Sequence, residues 1–276
     1  MNVTPISEVA VDEQGLKSWK SEGCLIKRAL FDSAEVDALR RRFDELAASG
    51  QPIPGHWEPD TGPDAARDSL KRFPRVMHPH RFDALSKRMM LHPRVGAILE
   101  RLYGCRAIAT QSMFYFKPPG SRGQALHQDN FYLKVRPDTC IAAWTAIDPA
   151  VSENGGLLVV PGTQDMEVVC PEIADESLSF TTHLVRVPAG MKAVPVELHP
   201  GDTLFFNGSL IHGSGPNRSK TMWRRSFICH YMSETSTHIS KWYRPLFNFE
   251  GSEVLRQESG GGGPCGKEFT APVFGT

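Results

Sequence analysis

Neither sign of charge is in excess in this sequence: Lys and Arg together number 31, and so do Asp and Glu. A protein drawn to nucleic acid or to an anionic membrane by its overall field needs such an excess. Neither partner is therefore expected, although local basic patches remain open. Long apolar runs are also missing, and none approaches the ~20 residues that span a bilayer. The first 14 residues are polar, carry Glu8, Asp12 and Glu13, and have neither the basic start nor the apolar core of a signal peptide. No Cys-x-x-Cys pair occurs. The six cysteines (Cys24, Cys105, Cys140, Cys170, Cys229, Cys265) are scattered and read as reduced thiols of a cytoplasmic protein. Cys105, Cys140 and Cys229 lie in apolar runs and fit as small buried hydrophobes. There is no internal repeat, and nothing in the charge or hydropathy pattern sets an oligomeric state.

Hydrophobic residues make up 40% of the chain, enough for a well-packed core. Gly23-Cys-Leu-Ile-Lys-Arg-Ala-Leu-Phe31 contains a short strand. Asp32 and Glu35 form a capping-box pattern. Val36, Leu39, Phe43 and Leu46 then recur at helical spacing up to Gly50, so the spacing predicts a helix over 33–49. Pro93, Val95, Ile98, Leu99 and Leu102 before Gly104 predict a second helix over 93–103, and 83–91 reads as another. Between them, Pro52, Pro54, Gly55, Pro59, Gly62 and Pro63 break regular structure in 51–82. A basic run follows: Arg67, Lys71, Arg72, Arg75, His78, His80 and Arg81. Loops this long are often functional, so this segment is either a lid over a site or a solvated excursion.

From Cys105 the pattern changes to short apolar runs separated by Gly, Pro, Asn and Asp, at 106–117, 140–147, 156–160, 183–187, 193–198, 203–207 and 225–232. Helices first and strands after predict an α+β chain, mainly β, with a sandwich or barrel backed by N-terminal helices. One domain is expected over 1–257. The Gly-rich stretch from Glu258 onward reads as a flexible tail over 258–276.

The chemistry concentrates at His127-Gln-Asp129 and at His212. Residues i and i+2 of a strand share a face, so His127 and Asp129 are expected to reach one metal from one short segment. His212, after the strand candidate at 203–207, supplies a second imidazole. Two imidazoles and a carboxylate with positions left open make the facial triad of non-haem Fe(II) oxygenases.

These residues sit among further segments: Phe116-Lys-Pro-Pro119, Leu126-His-Gln-Asp129, Ala142-Ala-Trp-Thr-Ala146, Glu153-Asn-Gly-Gly156, Val159-Val-Pro-Gly-Thr163, Gly201-Asp-Thr203, Ile211-His-Gly-Ser-Gly215 and Arg224-Arg-Ser-Phe-Ile-Cys-His230. In that order they resemble the phytanoyl-CoA dioxygenase family of Fe(II)- and 2-oxoglutarate-dependent oxygenases, from about Gly23 to Tyr231. The resemblance implies a double-stranded β-helix, the jelly roll of cupins. It implies Fe(II) on His127, Asp129 and His212, with 2-oxoglutarate and O2 as cosubstrates. It makes Arg224, with Ser226, the clamp for the far carboxylate of 2-oxoglutarate. A guanidinium fork suits that role, and Arg225 takes it if the strand register slips by one. Met113, Gln128, Trp144 and Ser214 match positions lining the cosubstrate pocket; Trp144 is alternatively a core aromatic. The turns at Glu153–Gly156, Pro161-Gly162 and Gly201-Asp202 have sufficient explanations in turn chemistry.

The activity so implied is hydroxylation of an unactivated C–H bond with release of succinate and CO2. Desaturation or cyclisation by the same oxidant is an alternative, and a non-catalytic jelly-roll sensor of metal or ligand is another. The carboxylate at Asp129 argues against a halogenase, which lacks that ligand. The basic 67–81 run, with Lys117 and Arg122 near the triad, suits an anionic group on the substrate. A small polar or zwitterionic metabolite is therefore expected, with a phosphonate as one candidate and an acyl-CoA as the alternative. The same charges also suit a solvated face. Lys117, Asn130, Tyr132 and Tyr231 are the candidate substrate residues.

Overall fold

The computed structural model describes residues 11–260 and 263–266. The first half runs α1 (Glu13–Glu22), β1 (Cys24–Lys27), α2 (Ser33–Ser49), α3 (Pro63–Arg67), α4 (Ser69–Arg72), β2 (Val76–Met77), α5 (Ala84–Met90), α6 (Pro93–Tyr103), β3 (Ala107–Tyr115), β4 (Gln124–His127), α7 (Asn130–Leu133) and β5 (Ile141–Ala146). Then follow β6 (Leu157–Val159), β7 (Glu172–Ile173), β8 (His183–Leu184), β9 (Val194–Val196), β10 (Thr203–Asn207), β11 (His212–Ser214), β12 (Ser226–Ser233), β13 (His238–Ile239), β14 (Leu246–Phe247), β15 (Glu253–Val254) and β16 (Gln257–Glu258). No helix of the described residues is long and apolar enough to cross a membrane.

Two sheets face each other as a jelly roll. The larger has the order β1-β10-β5-β12-β3-β14-β15, with β2 also on β3. The smaller has the order β4-β11-β6-β9. Alternation along the strands divides their side chains between two cores. Ile141, Ala143, Phe205, Phe227, Cys229 and Tyr231 point to the helix side, where they join Val36, Leu39, Phe43, Val95, Ile98 and Leu99 of α2 and α6. Ala142, Trp144, Leu204, Phe206 and Ile228 point between the sheets and meet Leu157 and Val159.

The helices follow from their capping chemistry. Asp32 accepts from the Glu35 amide while the Glu35 carboxylate accepts from the Asp32 amide, so both ends of the capping box are present. Gly50 and Gly104 close α2 and α6 in the left-handed region. α1, which the sequence pattern did not suggest, is capped by Asp12 and buries none of its own residues. Without a buried stripe it leaves little periodic trace.

The 51–82 segment is more anchored than its composition suggests. Trp57 and Val76 are buried, β2 pairs with β3, and the Met77 amide donates to the His56 carbonyl. The tail expectation also needs correction at its start. Glu258 pairs with Ile239, and Ser259 donates to the carbonyls of Ile239 and Lys134. Cys265 is bonded to Cys170, so these two are not the reduced thiols expected. Sequence spacing carries no sign of a pair 95 residues apart. The remainder of the expected tail, 261–262 and 267–276, lies outside the described residues.

The helix layer is pinned by Phe43 of α2 stacked on Phe114 of β3, ring centroids 3.9 Å apart. Phe114 is fully buried. Phe114→Ala is expected to destabilise the fold by about 3–5 kcal/mol, read as a lowered denaturation midpoint in guanidinium. A loss below about 1 kcal/mol would show that this contact does not anchor the layer.

Candidate functional site

β11 lies between β4 and β6 in the smaller sheet, and its register sets His212 directly opposite His127. The two rings sit 4.2 Å apart between centroids. Gly213 permits this approach, since a Cβ there would lie 2.7 Å from the Gln124 carbonyl oxygen. Asp129 arrives differently from the same-face argument. β4 ends at His127, and Asp129 has helical backbone angles at the start of α7. The corner, not strand alternation, turns its carboxylate back to the imidazoles. Asp129 Oδ1 lies 3.4 Å from His127 Nε2, and Oδ2 lies 3.6 Å from His212 Nε2. The three donors fall within 4.8 Å of one another, and all three residues are buried.

The hydrogen bonds fix the state of each donor. His127 Nδ1–H donates to the Ala125 carbonyl at 2.9 Å, and His212 Nδ1–H to the Leu210 carbonyl at 3.0 Å. Each Nε2 lone pair is thereby aimed at the common point. The Gln124 amide donates to His127 Nε2 at 3.1 Å, as a deprotonated nitrogen there requires. Burial lowers the His212 pKa to about 4, against the opposing charge of Asp129, so the ring is neutral at neutral pH. Burial alone would raise the Asp129 pKa, but the His212 and His230 imidazoles outweigh it and hold the carboxyl well below its usual range. Two imidazoles with their Nε2 atoms turned inward and an ionised carboxylate, with the remaining directions opening into a cavity, fit a six-coordinate iron with exchangeable positions.

That cavity has a volume of about 130 Å³ and lies between the sheets. Met113, Trp144, Ser214 and Arg224 line it together with the three donors, as do Tyr132, Arg75 and His230. Arg224 is buried, donates Nη1–H to Ser226 Oγ and Nε–H to the Gly155 carbonyl, both at 3.1 Å, and lies over the Trp144 ring. The Glu153–Gly156 turn thus steadies the Arg224 side chain and is more than a connection. Arg225 points out of the barrel. It bonds both oxygens of Asp148, at 2.7 and 3.0 Å, and reaches Asp44 of α2 at 2.7 Å.

Several candidates are placed elsewhere. Gln128 is buried but braces loops: its amide donates to the Ser209 and Glu167 carbonyls and accepts from the Val169 amide. Asn130 closes α7 through the Val135 backbone. Tyr231 lies in the helix-side core with its hydroxyl on the Met90 carbonyl. Arg122 is engaged by Asp68 and the Glu176 carbonyl. Lys117 is buried directly behind the wall, one side chain back, with its Nζ on Ser214 Oγ. Within the basic run only Arg75 reaches the wall; Lys71 pairs with Asp64, while His78 and His80 are buried.

His230 was missed. Its Nε2–H donates to Asp129 Oδ2 at 2.8 Å, and its residue is 2% exposed. The signal was available, because Arg224, Ser226, Ile228 and His230 continue one strand face, while Tyr231 belongs to the other.

An enclosed jelly-roll site with two imidazoles, one carboxylate and a buried guanidinium is that of a dioxygenase using Fe(II), with 2-oxoglutarate and O2 as cosubstrates, and this protein is of that class. The chain belongs to the phytanoyl-CoA dioxygenase family, whose family model matches residues 19–226. It is 30% identical over 242 residues to the peroxisomal phytanoyl-CoA dioxygenase of Bos taurus, covering 81% of this chain and 69% of that protein. It is 26% identical over 230 residues to a probable phytanoyl-CoA dioxygenase of Caenorhabditis elegans, covering 78% and 73%. Its fold resembles the epimerase SnoN solved with Fe3+, α-ketoglutarate (2-oxoglutarate) and nogalamycin RO, with a TM-score of 0.65, 22% identity and coverage of 87% and 88%.

By holding Asp129 Oδ2, His230 orients the carboxylate toward the imidazoles. His230→Ala is expected to weaken Fe(II) binding about 10- to 100-fold, measured by competition with a chelator. Unchanged affinity would reduce His230 to a packing role.

Proposed function

We propose that this protein hydroxylates an unactivated C–H bond of a small polar or zwitterionic metabolite bearing an anionic group, of which a phosphonate is one candidate. His127, Asp129 and His212 hold the iron, and Arg224, steadied by Ser226 and Gly155, receives the far carboxylate of 2-oxoglutarate. Met113, Trp144 and Ser214 line the same pocket. The observation that carries the reading is the joint placement of the three donors and Arg224 in one buried cavity of about 130 Å³. Arg75 on the wall, with Nη1 on the Tyr115 hydroxyl at 3.0 Å, supplies a cation for the anionic group. The substrate's other face meets Tyr132, whose hydroxyl is paired with His183 Nδ1 at 2.9 Å.

When bound, iron with 2-oxoglutarate supplies the oxidising equivalent, with succinate and CO2 as coproducts. The protein's own contribution is placement and exclusion of bulk water. Trp144 stacks under Arg224 and holds the guanidinium plane. His230 fixes the carboxylate oxygen that would otherwise swing. The 51–82 segment closes the outer wall through Arg75.

A second reading has its own observation. A neighbouring cavity of about 390 Å³ shares Arg75, Tyr115 and Phe180 with the first and is walled by Trp57, Phe73 and Phe116. It has room for a longer, partly apolar substrate such as an acyl-CoA. Desaturation or cyclisation would use the same placement, and the product's mass separates them: hydroxylation adds one oxygen, desaturation removes two hydrogens.

The test is succinate release over a panel of carboxylates, amino acids, phosphonates and acyl-CoAs. Coupled turnover is expected with a small anion. Turnover with acyl-CoA alone would overturn the small-anion reading, and none with any compound would count against the reaction itself. In the same assay Arg224→Met is expected to raise the KM for 2-oxoglutarate about 10- to 150-fold, the loss of charge-assisted hydrogen bonds worth about 1.5–3 kcal/mol. Arg225→Met, which breaks only the outer ion pairs, should leave that KM unchanged. The reverse pattern would assign the clamp to Arg225.

A further inference from the structure

Arg224 is not the only cation sealed inside this wall. Lys117, the second residue after β3 ends at Tyr115, has a left-handed φ of 38° and is 2% exposed. Its carbonyl accepts from the Arg224 amide at 3.1 Å and from the Asn217 side chain at 3.2 Å, so its backbone is tied to the clamp. Its Nζ donates to Ser214 Oγ at 3.0 Å. Gly155 makes the space for it: a Cβ there would lie 2.4 Å from Lys117 Cε and 3.0 Å from Nζ. The same Gly155 presents its carbonyl to Arg224 Nε. One turn therefore houses the lysine and steadies the arginine.

Among the described residues no carboxylate forms an ion pair with Lys117 or with Arg224. Lys117 Nζ meets a serine hydroxyl, and the Arg224 guanidinium meets a serine hydroxyl and a carbonyl. Asp148, the acid that acts on Arg224 at longer range, is spent on Arg225 and Arg40. Burial, and then the charge of Arg224, push the Lys117 amine well below its usual range. A buried amine and a buried guanidinium with only neutral partners are costly to hold charged. Such a pair is stabilised when an anion arrives between them. Ser214, which touches Lys117, lines the cavity beside Arg224.

We propose that Lys117 and Arg224 together form a two-cation site, bridged by Ser214, for the far carboxylate of 2-oxoglutarate. This rests on the cosubstrate role given to Arg224 above. Lys117 is then a cosubstrate-binding residue and not a substrate residue.

The test compares two ligands in two variants. Anaerobic protein with Fe(II) is titrated with 2-oxoglutarate and with 2-oxopentanoate, which lacks the far carboxylate, and binding is followed by the metal-to-ligand charge-transfer absorption. Lys117→Met is expected to weaken 2-oxoglutarate about 10- to 100-fold, the scale of a lost charged hydrogen bond, and to leave 2-oxopentanoate unchanged. The melting temperature of the ligand-free variant should rise, because an unpaired buried charge is gone, and its gain on adding 2-oxoglutarate should shrink. Lys117→Gln can still donate to Ser214 but carries no charge; it should also lose 2-oxoglutarate selectively, and it carries the test if the Met variant does not fold. Equal 2-oxoglutarate affinity in wild type and either folded variant overturns the proposal, as does equal loss of both ligands. A wild-type protein that shows no such band with 2-oxoglutarate overturns the cosubstrate reading itself, and this proposal with it.

Discussion

The pairing of β11 with β4 is the constraint on which the site depends. It sets His212 across from His127 by backbone register alone. Both histidines then use the same device: Nδ1–H donates to the carbonyl two residues earlier, Leu210 for one and Ala125 for the other. Each ring is locked in one tautomer by its own chain, without help from distant side chains. A slip of one residue in this pairing would turn His212 away from the cavity. The close approach needs Gly213, and the loop before His212 is tied to α7 by the Asn130 amide on the Gly208 carbonyl.

Charge is sorted by face on the opposite sheet. Adjacent residues of β12 and its lead-in point opposite ways, so Arg225 meets Asp148 and Asp44 while Arg224 meets only neutral groups. The outward arginine is a strut between α2 and the sheet. The inward one lines the cavity with only a hydroxyl and a carbonyl as hydrogen-bond partners among the described residues, and in such a buried setting a carboxylate gains more than it would in water. The iron donors carry the complementary charge, since Asp129 is ionised. A molecule with a carboxylate at one end and metal-chelating oxygens at the other matches both poles of this cavity.

Much of this was legible because short-range rules suffice for it. Capping and periodicity placed α2 and α6, whose bounds match 33–49 and 93–103. The motif order implied the jelly roll, and alternation separated Arg224 from Arg225. The losses came where geometry is set by contacts far apart in sequence. Asp129 is a corner residue, and nothing local distinguishes that from a strand position. Gln128 became a brace because the 164–170 loop passes over it. Tyr231 stands beside the motif, but alternation assigns it to the helix-side core and assigns His230 to the cavity. The Cys170–Cys265 bond and the pairing of Glu258 with Ile239 join distant segments and leave no periodic signature.

The central claim is that one cavity holds iron on His127, Asp129 and His212, and the far carboxylate of 2-oxoglutarate at Arg224. Crystals grown without oxygen in the presence of Fe(II) and 2-oxoglutarate test it most directly, by anomalous scattering at the iron edge. A single strong peak is expected, equidistant from His127 Nε2, His212 Nε2 and an Asp129 oxygen, with ligand density running from it to the Arg224 guanidinium. An iron peak on other residues, or density that ends at Arg225, would contradict it.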